Sequence, residues 1–306
     1  MHRRRRGLTF RRGPGGYRVR VFDDFTLETV RLDEVTLRVR HGGAGEPVVL
    51  LHGHPRTHTT WHAVAPRLAQ RHTVVCPDLR GYGRSTLPPD RADHSQSSKR
   101  AMAGDVRALM RHLGHERFAV VGHDRGASAA YRTALDHCDA VTRLVVMDGL
   151  PVLEQLERTD ARFAQAWWHW WFLGQTDKPA ERVINADPDG WYRTPSPEAM
   201  GPGNHEDVWA AFHDPAVVHG MCEDYRAGLG IDRAHDEADR AAGRRISCPT
   251  LLLESEHDDL DIHGDPAAIW APWLDQPLTH RVVESGHHQA EEAPEAVAEA
   301  ILDFLA

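Results

Sequence analysis

The chain has 306 residues, 41% hydrophobic and 26% charged, enough for one large α/β domain with an insertion or for two modest domains. A formal net charge of -9 argues against nucleic-acid binding, although the start, MHRRRRGLTFRR, is rich in arginine; no recognition motif follows it. No apolar run reaches the roughly 18 residues of a membrane span, and no apolar segment behind the arginines makes a secretory signal.

In chain order, residues 1–24 read as a basic flexible tail. Short β-rich runs then recur: VTLRVR at 35–40, PVVLL at 47–51, HTVVC at 72–76, FAVVG at 118–122, TRLVVM at 142–147, TLLLE at 250–254 and HRVVES at 280–285. Between and after them lie the helical patterns WHAVAPRLAQR, 99–113, ASAAYRTALDH and the terminal APEAVAEAILDFLA. Such alternation predicts an α/β fold whose mostly parallel sheet is flanked by helices. From Asp148 to about Arg244 the alternation stops, tryptophans crowd together and Pro/Gly breaks appear. The chain therefore divides into a first core part at 25–150, a helical cap insertion at 151–243 and a second core part at 244–306, with the cap above the carboxyl edge where open sheets place ligands. Cys76, Cys138, Cys222 and Cys248 stand singly, as reduced thiols of a cytoplasmic protein would.

The stretch GHDRG, Gly122 to Gly126, follows an apolar strand and opens a helix. Glycines on both sides let a strand turn abruptly into a helix and expose the central side chain, here Asp124. An aspartate that merely caps the helix would not require both glycines. A carboxylate has no proton to shed, so Asp124 can displace a leaving group from carbon and form an ester. Hydrolysing that ester needs a base and an oxyanion hole. His287 in ESGHHQAEEAPE supplies a histidine on the loop before the terminal helix, with His288 beside it read as a surface or lid-facing residue. The backbone N–H groups of Arg125 and of His54, in HGHP, are the candidate oxyanion donors, with Pro55 fixing the turn through a cis bond. His58 and His62 stand one helical turn apart, but no third ligand of fixed spacing accompanies them, so metal is not expected. Two acids could orient His287: Asp148, ending one strand, and Asp258, after the next.

From about Glu46 to the C-terminus the chain resembles the α/β-hydrolase superfamily, and within it the fluoroacetate (haloacetate) dehalogenases. The resemblance rests on HGHP, DLRGYGRS, GHDRGA, VMDGLP, WHWWFLGQ, MCEDYRAG and ESGH with EEAPE behind it. It implies the α/β-hydrolase fold, Asp124 as nucleophile, His287 as base (the histidine directly after Gly286) and Asp148 as its acid, with Asp258 the alternative. It further implies a halide cradle of His169, Trp170 and Tyr225, a substrate-carboxylate clamp at Arg125, and no cofactor. Three converging donors suit a small, strongly hydrated halide ion. The tryptophans around His169 could equally be an aromatic core stripe, and Trp167, Trp168 and Trp171 are expected to pack the cap on its base. Two departures stand out. Ser128 replaces a second arginine of the family pattern, a loss of about 1.5–3 kcal/mol of charge-assisted bonding unless Arg56 or another base compensates, and His54 replaces an aromatic.

The function this implies is hydrolytic dehalogenation of a small 2-haloacid, releasing halide and a 2-hydroxy acid. An epoxide hydrolase with the same aspartate is the first alternative. A non-catalytic binding protein on the same fold is the second. The expected partners are a small-molecule substrate and water, with no nucleic acid and no membrane; a homodimer is left open.

Overall fold

The computed structural model describes Phe22 and residues 24–177 and 179–306, so the arginine-rich part of the expected tail lies outside the described residues. The strands are β1 (Thr26–Arg31), β2 (Thr36–Gly43), β3 (Glu46–Leu51), β4 (His72–Pro77), β5 (Phe118–His123), β6 (Val141–Met147), β7 (Thr250–Ser255) and β8 (Thr279–Val283). They form one sheet in the order β1-β2-β4-β3-β5-β6-β7-β8; β2 is antiparallel to both its neighbours, and all pairings from β4 to β8 are parallel. All seven runs expected from the sequence are strands. The eighth, β1, was not anticipated. It is an edge strand with mostly exposed side chains, so TLETVR carries little apolar signal.

Period-two alternation explains why the central runs are apolar throughout: successive residues face opposite sides, and both sides are covered. On one face Val49, Leu51, Val120, Leu144, Val146 and Leu252 pack with Met102, Val106, Ala130 and Tyr131 of two helices, Lys99–His112 and Arg125–Asp136. On the other, Val48, Leu50, Val121, Val145, Leu251 and Leu253 pack with Leu68 and with Val297 and Ile301 of the terminal helix Pro294–Leu305. WHAVAPRLAQR is less regular than its pattern predicts: a 3₁₀ turn at His58–Trp61 precedes a single short helix, Ala65–Leu68.

Between β6 and β7 the chain is a series of helices from Val152 to Ala241. Its aromatic cluster (Phe163, Trp167, Trp170 and Tyr225) is separate from the two sheet cores. Trp168, expected to pack inside, is 50% exposed.

The turn from β5 into the Arg125–Asp136 helix packs backbone directly against backbone near the sheet's carboxyl edge. A Cβ on Gly122 would stand 2.1 Å from the Gly126 carbonyl oxygen, and one on Gly126 would stand 2.3 Å from that of Leu51. Both positions therefore need a residue without a side chain. Gly122→Ala should destabilise the protein by at least about 1–3 kcal/mol, read as a lowered urea midpoint at unchanged slope; an unshifted midpoint would contradict this packing.

Candidate active site

Asp124 occupies this turn with φ 53° and ψ -117°, a conformation that costs a non-glycine residue energy and persists only where surroundings enforce it. Its N–H donates to Met147 C=O at 3.1 Å, and its own C=O accepts from Ala127 N–H at 3.0 Å. The turn lifts the side chain above the strand ends, beneath the loop that follows β3. There the His54 N–H donates to Asp124 Oδ1 at 2.7 Å, and the Arg125 N–H hydrogen-bonds the same carboxylate. Close approach again depends on glycine, because a Cβ on Gly53 would fall 2.3 Å from Asp124 Oδ1. The His54–Pro55 bond is cis, as expected.

His287 faces the other carboxylate oxygen, with Nε2 3.9 Å from Asp124 Oδ2, a gap that suits a bridging water. Its Nδ1 bonds Asp258 Oδ2 at 2.8 Å. The hydrogen bond assigned first to Asp148 is thus made by Asp258. The reason is local: beyond β7 the chain keeps following the end of β8, with Glu256 N–H to Val283 C=O at 2.9 Å and His257 N–H to Ser285 C=O at 3.0 Å, which carries Asp258 alongside the His287 loop. Asp148 lies one strand further in, and its two oxygens accept from the Ser255 N–H at 2.7 Å and the Ser255 hydroxyl at 2.5 Å. It remains close enough to matter electrostatically: ligand atoms of Asp148, His123 and His287 lie within 4.8 Å of one another.

These contacts set the charges. Burial opposes ionisation of Asp124, but His287, His123 and the Arg125 N–H outweigh it and hold the carboxyl below its ordinary range. Burial likewise opposes a charged His287, yet the Asp258 hydrogen bond and the Asp124, Asp258 and Asp148 charges raise it to about 9. At neutral pH the resting site is therefore a carboxylate facing an imidazolium. Asp148 goes the other way, pushed up to about 6 by burial.

A cavity of about 280 Å³ opens on this pair, lined by Asp124, His287, Asp258, His54 and His288 from the sheet side and by Trp167, His169 and Tyr225 from the helices above. Burial keeps His169 neutral by lowering it to about 4, does the same to His54 at about 3, and holds the Tyr225 hydroxyl protonated. Arg125 and Trp170 are not in the cavity wall but directly behind it, the guanidinium 4.4 Å from the Tyr225 ring centroid and 5.2 Å from that of Trp170. The Trp170 indole N–H and Arg125 Nη1 are buried donors with no partner among the described residues. Ser128 is buried one helical turn on from Arg125, outside the cavity wall. Arg56 cannot stand in for a second clamp, because Glu291 holds it at 2.8 and 3.1 Å. His58 is taken by Asp78 at 2.7 Å and His62 by the Thr59 carbonyl at 3.1 Å, so the two do not form a site together.

Sequence reasoning missed three wall residues, Ala166, Trp167 and Asp259. Of the two positions expected for His288, surface or lid-facing, it takes the second: it lines the cavity, with burial pushing its ring well below its usual value. Trp167 lines it too and donates its indole N–H to Asp259 at 2.8 Å. Asp259, next to Asp258, gave no signal that would separate it from its neighbours.

Because Asp124 is one of the charges that raise His287, removing it should release the ring. By NMR titration His287 should lose its proton near pH 9 in the intact protein and at distinctly lower pH in Asp124→Asn; an unmoved titration would show that the two groups do not interact. The linkage sign follows. Because the folded pKa exceeds the unfolded one, His287 contributes stability fully present below its ordinary value and lost as pH rises through about 9.

Comparison with known proteins places this geometry in a family. The family model described as alpha/beta hydrolase fold matches residues 46–294. A fluoroacetate dehalogenase from Burkholderia sp is 40% identical over 93% of this chain and 95% of its own. A soluble epoxide hydrolase from Corynebacterium sp. (strain C12) is 31% identical over 86% of this chain and 91% of its own. Among solved structures, a Nostoc sp PCC 7120 protein proposed to be an alpha/beta hydrolase superposes with a TM-score of 0.88 at 40% identity, covering 93% of this chain and 99% of that one. A strand-turn-helix elbow, a histidine loop after the last strand and a helical insertion over the carboxyl edge, matched along nearly the whole chain, make this protein a hydrolase that belongs to the alpha/beta hydrolase fold family.

Proposed function

We propose that the protein cleaves the carbon–halogen bond of a small 2-haloacid through an ester on Asp124. The observation that carries the reading is the division of labour within one carboxylate: Oδ1 rests on the His54 N–H while Oδ2 faces His287. Oδ2 attacks the halogen-bearing carbon, the new C–O bond forms as the carbon–halogen bond breaks, and the halide leaves with the electron pair towards His169, Tyr225 and the unpaired Trp170 N–H. The substrate carboxylate is drawn towards the Arg125 guanidinium, which stands directly behind Tyr225 with Nη1 unpaired among the described residues.

Esterification then changes the base. An ester carries no charge, so His287 loses one of the anions that raised it and its pKa falls, favouring the neutral ring. Neutral His287 removes a proton from water, the hydroxide adds to the Asp124 carbonyl carbon, and the oxyanion develops on Oδ1, already bonded to the His54 N–H, with the Arg125 N–H serving the same carboxyl group. Collapse breaks the Cγ–Oδ2 bond; the departing alkoxide takes the proton held by His287 and leaves as the 2-hydroxy acid, and the proton that came in with the hydroxide passes to the ring, restoring carboxylate and imidazolium. Asp258 holds the ring through Nδ1 in this scheme, while Asp148 supplies only field.

The dehalogenase of Burkholderia sp supports this substrate class, and one contact disfavours the epoxide alternative that the other relative suggests. Opening an epoxide calls for acidic hydroxyls on the cavity wall. Tyr225 is the one tyrosine on that wall; the Tyr192 hydroxyl turns away to Met221 Sδ at 3.3 Å.

Fluoro-, chloro- and bromoacetate should release halide, whereas a styrene-type epoxide should release no diol; diol without halide would reverse the assignment. In His287→Asn the first step should run and the second stop, so intact-mass analysis after chloroacetate should find one carboxymethyl group on Asp124. Asp258→Asn should slow ester hydrolysis by roughly a thousandfold to ten-thousandfold, and Asp148→Asn far less; the reverse ranking in single-turnover kinetics would restore Asp148 as the orienting acid.

A further inference from the structure

Arg125 is buried, and its charge is already partly spent. Asp224, one residue before Tyr225, accepts from Arg125 Nη2 at Oδ1 (2.8 Å) and, more weakly, from Nε at Oδ2 (3.3 Å), and its backbone carbonyl takes Nη2 as well at 2.9 Å. The Gly228 backbone lies close against the guanidinium, where a Cβ would stand 2.8 Å from Nη2. An arginine neutralised by one carboxylate in a water-poor interior has little charge left for a substrate.

A second cation changes this balance. Lys99, the first residue of the Lys99–His112 helix and 1% exposed, donates Nζ to Asp224 Oδ1, and the Tyr82 hydroxyl donates to Oδ2 at 2.7 Å. Two buried cations thus share the Asp224 carboxylate. Asp232, the other acid nearby, bonds only the Lys99 backbone N–H, at 2.8 Å; its second oxygen has no donor among the described residues, and burial holds its carboxyl above the ordinary range. One donor of the cluster, Arg125 Nη1, has no partner among the described residues and lies behind the cavity wall. Ser128, the next residue on that helix face, is neutral and short.

We propose that Lys99 is a positioning residue for carboxylate recognition: by occupying Asp224 it leaves Arg125, behind the cavity wall, with the charge and the unpaired Nη1 donor that draw a substrate carboxylate. The proposal rests on the haloacid reading above. It assigns selectivity for an anionic over a neutral haloacetyl group to a lysine that touches neither.

The test compares chloroacetate with chloroacetamide, its neutral counterpart, by chloride release, with Asp124→Asn as blank. Lys99→Met should raise KM for chloroacetate about tenfold, the scale of one charge-assisted bond, leave its kcat within about twofold and leave chloroacetamide turnover almost unchanged; Lys99→Arg should restore KM. Equal losses on both substrates would make Lys99 merely structural and overturn the inference, as would unchanged KM in Lys99→Met. If Lys99→Met does not fold, Lys99→Arg decides: a chloroacetate KM near that of the intact protein supports the proposal, and a tenfold rise specific to no substrate overturns it. Wild-type enzyme that turns over both compounds equally well removes the carboxylate reading itself, an outcome distinct from any change confined to the variants.

Discussion

A buried carboxylate that stays ionised needs compensation from fixed groups, and the elbow at Asp124 is built around that need. Its oxygens are served by backbone N–H groups from two loops and face an imidazolium, so desolvation is outweighed and the carboxyl remains below its ordinary range. The surrounding backbone bends to this arrangement. Gly53, Gly122 and Gly126 each leave room that a single methyl group would fill, and Asp124 itself takes a left-handed φ to present its side chain.

Charge is handled by the same means at increasing depth. Asp124 and His287 offset one another at the cavity floor, Asp258 steadies the far side of the ring, and behind Tyr225 the Arg125, Lys99 and Asp224 cluster forms a second buried set of charges. In the proposed reaction the two sets have different tasks: the first exchanges charge during the chemistry, and the second keeps a fixed field for the substrate's anionic end. Other wall residues are polar but neutral. His54, His169 and Tyr225 are all held uncharged by burial, so in the proposed reaction the departing halide meets neutral donors at the roof.

The similarity to both a dehalogenase and an epoxide hydrolase has a physical basis in this arrangement. An aspartate on an elbow, two N–H donors and a histidine suffice to form and hydrolyse an ester, whatever the electrophile. What separates the substrates is the chemistry of the roof, where this chain carries His169 and one inward tyrosine.

Much of this was legible in the sequence because it depends on local chain stereochemistry. Seven apolar runs became strands, and G-x-D-x-G fixed an elbow, since only glycine tolerates the contacts at positions 122 and 126. HGHP placed a donor loop with its cis proline. The partner of His287 was not legible: Asp148 and Asp258 both end strands, and the choice fell to the continued pairing of the chain beyond β7 and β8, which brings Asp258 to the ring and leaves Asp148 to Ser255. Nor could sequence spacing reveal that Lys99, Arg125 and Asp224 meet, or that His288 faces inward, because residues from distant elements share a site only once the sheet order and the seating of the helices above it are set. Local sequence therefore determined the nucleophile's turn, while long-range packing decided which charges surround it.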